Sequence, residues 1–191
     1  MKKFKAILKT PFFSLEESLE PDLFNNEPYY RIVGNDSVIA CILDEEDNFL
    51  MVEQYRACLE KKTIEFPAGA IDLGEDSIQA VRRELMEELG ISCSILPLSG
   101  DYTLMMNRTN IRDHLFFGMN ISSEQKKPEK GILVKKIQRK SLLDEALSGS
   151  FNQLAGIGML QLAGKILDLN MCKCDYLEIK NAFNKNKNVF K

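Results

Sequence analysis

The stretch EFPAGAIDLGEDSIQAVRRELMEELGI, Glu65 to Ile91, constrains the fold of this chain more than any other. It opens on Pro67 and small residues and then becomes amphipathic. Asp76 and Gln79 stand at capping-box spacing, which predicts a helix from about Ser77 to Leu89, and Gly90 is placed to end it. At about 100° per residue, Ile78, Val81, Leu85 and Leu89 fall on one stripe, the face that packs on the body of the protein. Glu84 and Glu88 stack at i and i+4 on the border of that stripe, with Glu87 beside Glu88. Like charges so placed repel, and desolvating several of them costs energy unless a cation offsets it. Three hard oxygen donors on one helix face suit Mg²⁺ or Mn²⁺, which bind through a few carboxylates and substrate phosphate oxygens. The competing reading is a solvated acidic face in which Arg83 pairs with Glu87 at i, i+4.

Around this segment the pattern is strand-like. SVIACILD, a DEEDN turn and FLMVEQY predict a hairpin with one buried strand; TIEFPAG, SILPLSGDYTL, DHLFFGMNI and GILVKKIQ supply further strands. Leu154 to Leu169 is apolar at successive turns and predicts a buried helix, and SLLDEAL, closed by Gly149, a short one. Strands and helices are interspersed without regular β-α alternation, which indicates a mixed α/β or α+β fold. Residues 1–30, broken by Pro and Asn, read as an N-terminal arm or short strand, 31–170 as the main domain and 171–191 as a partly frayed C-terminal extension.

Composition narrows the class. With 191 residues, 45% apolar and 28% charged, the chain has the make-up of one folded domain with a core of its own. A net charge of -3 argues against a dedicated nucleic-acid binder, and no run is long enough to span a membrane. Five Cys, an odd number with three in apolar runs, read as reduced thiols of a cytoplasmic protein. Cys172 and Cys174 lack a second Cys/His pair to complete a metal site.

The spacing Gly69-x5-Glu75-x7-Arg83-Glu84-Leu85-x-Glu87-Glu88-x-Gly90-Ile91 resembles the Nudix box at every constrained position. Chance would reproduce it far less than about once in a million at average residue usage. VEQYR (Val52 to Arg56) and EFPAG extend the resemblance to the ADP-ribose pyrophosphatase and nucleoside-diphosphate-sugar branch of that family, over about Tyr29 to Leu169.

The resemblance implies a mixed sheet between helices. It implies a Mg²⁺-dependent pyrophosphohydrolase in which water attacks phosphorus of a nucleoside diphosphate linked to another moiety. Glu84, Glu87 and Glu88 match the family's metal-binding and catalytic carboxylates, and the carbonyl of Ala68 matches a further metal contact. Glu75 and Arg83 match positions that orient the loop and helix, while Gly69 and Gly90 have backbone roles. For a general base on a loop after the box, Glu129 matches best, then Glu124, then His114, the only histidine. Arg56 is a candidate phosphate or ribose contact, or else a salt bridge to Glu53 or Glu65. The branch's Ser-Pro-Gly segment is missing from DYTLMMNRTNIRDH, so Asn107, Arg108 and Arg112 become candidates for the substrate's distal group. A homodimer is a possible assembly.

Two other classes compete. A nucleotide sensor that does not hydrolyse would be expected to lack metal carboxylates that are present here. An RNA-end or dinucleotide pyrophosphohydrolase would use the run Lys126, Lys127, Lys130, Lys135, Lys136, Arg139 and Lys140, which more simply forms the solvated face of a hairpin.

Overall fold

The computed structural model describes residues 3–21, 26–123 and 127–186. Phe4–Lys9 (β1), Phe13–Pro21 (β2) and Pro28–Gly34 (β3) form an antiparallel sheet in that order. The segment expected to be an arm is therefore a meander. Its breakers sit in connections rather than in strands: Pro11 lies in a turn where the Thr10 hydroxyl accepts the Phe12 and Phe13 N–H groups at 3.2 and 3.0 Å.

The second sheet contains Ser37–Leu43 (β4), Asn48–Arg56 (β5), Lys61–Glu65 (β6), Ala68–Ala70 (β7), Ile91–Tyr102 (β8), Asp113–Ser123 (β9) and Leu133–Gln138 (β10). Its order is β10-β5-β4-β9-β8, with β6 on β5 and β7 on β4. β4 and β9 run parallel and the other pairs antiparallel, so the sheet is mixed. Among the described residues four α-helices accompany it: Ser77–Glu84 (α1), Leu142–Ser148 (α2), Leu154–Leu167 (α3) and Tyr176–Asn186 (α4).

β4 shows why the sheet sits between helices. Nearly every residue of SVIACIL is apolar, which requires cover on both faces. Ile39, Cys41 and Leu43 point into one core with Met159, Leu160, Ala163 and Leu167 of α3 and Ile179 and Phe183 of α4. Val38, Ala40 and Ile42 point into another with Ala80, Val81, Leu85 and Leu89. The mixed α+β sandwich expected from the sequence is the one observed.

Two boundaries differ from expectation. The C-terminal stretch read as frayed forms α4 over Tyr176–Asn186, because Ile179 and Phe183 lie one turn apart on one face and are fully buried. Burying each is worth about 1.5–3 kcal/mol. Residues 187–191 lie outside the described residues. The helix expected to run to Leu89 is α-helical only to Glu84, and Leu85–Leu89 continues it as a π-turn that Gly90 ends at φ 68°. Such turns are rare and concentrate at functional sites.

Arg139, read as part of a solvated basic run, is buried. Its Nε and Nη2 donate to Asp47 Oδ1 and Oδ2 at 2.6 and 2.9 Å, and it also donates to the carbonyls of Met171 and Cys174. One side chain thus ties the β4–β5 turn to the segment leading into α4. All five cysteines are free thiols. Among the described residues no helix is long and apolar enough to cross a membrane.

Candidate active site

The segment Pro67 to Gly90 folds into strand, loop and helix around one guanidinium. Arg83 Nε and Nη2 donate to the two oxygens of Glu75, both at 3.0 Å, and Nη2 also reaches the Ala70 carbonyl at 2.8 Å. Nη1 bridges Glu84 Oε1 at 2.6 Å and Glu87 Oε2 at 3.1 Å. Glu75 in turn accepts the Asp72 N–H at 3.1 Å, so the loop is closed on itself and fastened to α1. The fork of Arg83 holds the Glu75 carboxyl below the usual range, and Glu75 holds the guanidinium firmly charged. The capping box at Asp76 and Gln79 is formed, with both bonds at 2.8–2.9 Å.

The acidic face is not solvated. Glu88 is 6% exposed and the Glu84 side chain 13%, whereas the Glu87 side chain, at 32%, stands further out. Burial pushes the Glu88 carboxyl up to about 7, the Glu84 charge adding to it, against the opposing effect of the Ala68 N–H, which donates to Glu88 Oε2 at 3.0 Å. Burial also raises Glu84, although the Arg83 bond opposes it. A Cβ added at Gly69 would lie 1.9 Å from Glu84 Oε1, so glycine here leaves the Glu84 carboxylate where it stands.

The ladder orients the remaining donor. Ala40 N–H donates to the Pro67 carbonyl and Ala68 N–H turns the other way, to Glu88. N–H and C=O of one extended residue point the same way, so the Ala68 carbonyl also faces away from β4, toward the acidic side. Among the described residues no three His, Cys, Asp or Glu side chains form a closed ligand set, and the cation standing between Glu84 and Glu87 is Arg83. The donors nonetheless fit a hard divalent ion in kind: two buried carboxylates, Glu84 and Glu88, both raised by burial, a third carboxylate at the rim, and a carbonyl oxygen.

The other sequence-derived positions divide. Glu129 is brought to the site: its N–H donates to the Glu87 carbonyl at 2.9 Å, and its charge helps raise Glu84. His114 is not; its Nε2 lies 3.6 Å from Asp36 Oδ2. Glu124 lies outside the described residues. Arg56 makes the salt bridge anticipated as the alternative, a two-pronged bond to Glu65 at 2.8 and 2.5 Å, with the Thr63 hydroxyl on the same carboxylate. Its charge still reaches Glu88 and lowers it. Arg112 lines a cleft of ≈ 200 Å³ with Tyr102, Thr103, Met106, Thr109, Asn110 and Ile111. Its N–H donates to Asp36, whose carbonyl accepts the Ile71 N–H at the start of the box loop. Arg108 instead lies over the Tyr29 ring, 5.3 Å from its centroid, against β3. Phe66 is core, edge-on to Phe49 and Phe151.

A model of the NUDIX domain matches residues 34–137, more than half of the chain. The chain belongs to the Nudix family. Over 53 residues it is 47% identical to the ADP-ribose pyrophosphatase of Saccharomyces cerevisiae, which is 28% of this chain and 23% of that protein. Over 67 residues it is 34% identical to the ADP-ribose pyrophosphatase of Bacillus subtilis, 35% and 36% of the two chains. Over 64 residues it is 44% identical to the methanol dehydrogenase activator of Bacillus methanolicus, 33% and 35% of the two. The matched stretches span at most 36% of these relatives. The crystal structure of an ADP compounds hydrolase superposes with a TM-score of 0.70 over 87% of this chain and 92% of the other, at 17% identity, a likeness of fold.

Two features of the Nudix site escape sequence reading. Which carbonyl Arg83 would take is fixed by the loop's path, not by residue type. The Thr63-Glu65-Arg56 chain is signalled only weakly, by alternation along β6 that puts Thr63 and Glu65 on one face.

Proposed function

We propose that this Nudix protein is a Mg²⁺-dependent pyrophosphohydrolase, with Mn²⁺ as a possible substitute, that cleaves ADP-ribose or a nucleoside-diphosphate sugar by attack of water on phosphorus. The observation that carries this reading is the buried pair Glu84 and Glu88, closed against Ala68 and Gly69 with Glu88 raised to about 7. Two desolvated acids at one backbone turn are costly in a purely structural helix and useful where a cation completes them. The relatives named ADP-ribose pyrophosphatase support the substrate class.

Glu84, Glu88, Glu87 and the Ala68 carbonyl would hold the ion. When bound, the ion offsets the diphosphate charge and acidifies water. Arg83 and Glu75 keep the helix and loop in register, and Gly69 admits Glu84. Glu129 takes the proton of the attacking water. Arg56, its plane fixed by Glu65, presents Nη1 to a phosphate oxygen. Arg112 contacts the distal group from its cleft, and Arg108 reaches it from the Tyr29 side.

The RNA-end reading loses its footing in the basic run. Lys135 pairs with Glu53, Lys136 with Asp44 and Glu46, Arg139 with Asp47 and Lys140 with Asp175. A homodimer is favoured by the sheet β1-β2-β3, which leaves Ile7, Leu8, Phe12, Phe13 and Leu19 more than 40% exposed. Sedimentation at micromolar concentration should show a dimer, and a monomer throughout would remove that assembly.

Incubation with Mg²⁺ and a panel of ADP-ribose, NDP-sugars, dinucleoside polyphosphates, NADH and capped RNA tests the substrate class. Selective turnover of ADP-ribose or an NDP-sugar is expected; no turnover of any member would sink the enzyme reading.

A further inference from the structure

The segment Pro128 to Ile132 is pinned to the acidic helix by contacts that do not involve the Glu129 side chain. Glu129 N–H donates to the carbonyl of Glu87, in the last turn of the helix, where carbonyls have no partner further along. Ile132 N–H donates back to the Glu129 carbonyl at 3.2 Å and closes a four-residue turn. Gly131, third in that turn, holds φ 97°, which glycine adopts without strain. The half-buried Ile132 side chain packs on the core that contains Leu85 and Leu89, from the same helix as Glu84 and Glu88. Beyond Ile132 the chain enters β10, whose Leu133 pairs with Glu53 of β5.

The exposed Glu129 is therefore carried on a turn anchored at both ends: one end on the helix backbone, the other in the core that backs the helix. Nothing in this arrangement waits for a ligand. We propose that Gly131 and Ile132 are positioning residues that hold Glu129 against the Glu87 carbonyl, with its carboxylate within electrostatic reach of Glu84, before substrate arrives, so the proton acceptor is preorganised. The inference rests on Glu129 being the base of the reaction proposed above. An anchor of this kind acts on the reacting geometry and not on substrate affinity, so its loss lowers kcat and leaves KM in place.

The test measures kcat and KM with Mg²⁺ and ADP-ribose, or the panel member that the wild type cleaves fastest, for Glu129→Gln, Gly131→Ala, Ile132→Ala and the two double variants with Glu129→Gln. A methyl at Gly131 meets no neighbour within 4 Å, so Gly131→Ala strains the turn without a clash. Ile132→Ala removes the anchor without touching the turn. Each single variant should lose roughly tenfold or more in kcat with KM within about twofold, and Ile132→Val should restore most of the rate. In the Glu129→Gln background neither substitution should cost anything further, because both act through that carboxylate. Normal kcat in Gly131→Ala and Ile132→Ala beside a slow Glu129→Gln overturns the anchoring and leaves the base in place, as do losses that multiply in the double variants. Wild-type kcat in Glu129→Gln removes the base, and this inference with it. If Ile132→Ala fails to fold, Gly131→Ala carries the comparison.

Discussion

The backbone N–H of Ala68 donates to Oε2 of Glu88 at 3.0 Å and joins β7 to the π-turn that ends the acidic helix. One residue along, Gly69 leaves room for Glu84. The strand and the helix thus meet through two acids and a glycine whose missing side chain leaves the Glu84 carboxylate its place. Two consequences can be measured, besides the metal dependence itself.

Gly69→Ala puts a methyl within 1.9 Å of where Glu84 Oε1 now lies, so the carboxylate must leave its place. Misplacing a reacting group by about an ångström costs on the order of 10²-fold in rate. We expect that loss in kcat/KM with the circular dichroism spectrum unchanged; activity within a factor of about two would show that Glu84 is not needed where it stands.

Glu88 sets a pH dependence of stability in the metal-free protein. Its pKa in the folded chain, about 7, lies above its ordinary 4.5, so its contribution is fully present below about 4.5 and is lost as pH rises through about 7. The shift from 4.5 to about 7 corresponds to about 3 kcal/mol. Urea titrations in EDTA across this window should show the wild type losing stability with rising pH relative to Glu88→Gln. Parallel curves would show that burial leaves Glu88 unperturbed.

Arg139 is fully buried and its partner Asp47 half-buried, and removing one side of the pair leaves the other without its bonds. Arg139→Ala should destabilise by about 3 kcal/mol or more, and Asp47→Ala in the same chain should recover part of it. Because Arg139 also holds the carbonyls of Met171 and Cys174, amide exchange in α4 should quicken more than in α1. A loss below about 1 kcal/mol would mean the pair behaves as an exposed one.

What the sequence made legible is what is local. The cap at Asp76, the stop at Gly90, the stripe of Val81, Leu85 and Leu89 and the carboxylates bordering it depend on spacing along one helix, and all are found. The parallel pairing of β4 with β9 joins Ser37 to Asp113 and depends on packing that no short window carries. In the sequence Arg139 looks like one more cation of the run Lys135, Lys136, Arg139 and Lys140; only the fold brings it beneath the Asp47 turn. The N-terminal meander reads as an arm or one short strand because its prolines look like breakers; in the fold Pro11 lies between the first two strands and Pro21 at the end of the second, where proline is tolerated. At the site, the family resemblance points to Glu129 as a candidate but not to what holds it. A backbone N–H, a glycine at positive φ and a half-buried isoleucine leave little trace in composition.

The most direct test of the central claim is the divalent-metal dependence of ADP-ribose and NDP-sugar turnover in the wild type and in Glu88→Gln, followed by product analysis across a Mg²⁺ titration from EDTA. The buried pair as an ion site predicts no turnover in EDTA, saturable activation by Mg²⁺ in the wild type, and a loss on the order of 10²-fold or more in Glu88→Gln at every concentration. Turnover that persists in EDTA, or a Glu88→Gln protein activated as fully as the wild type, would contradict it.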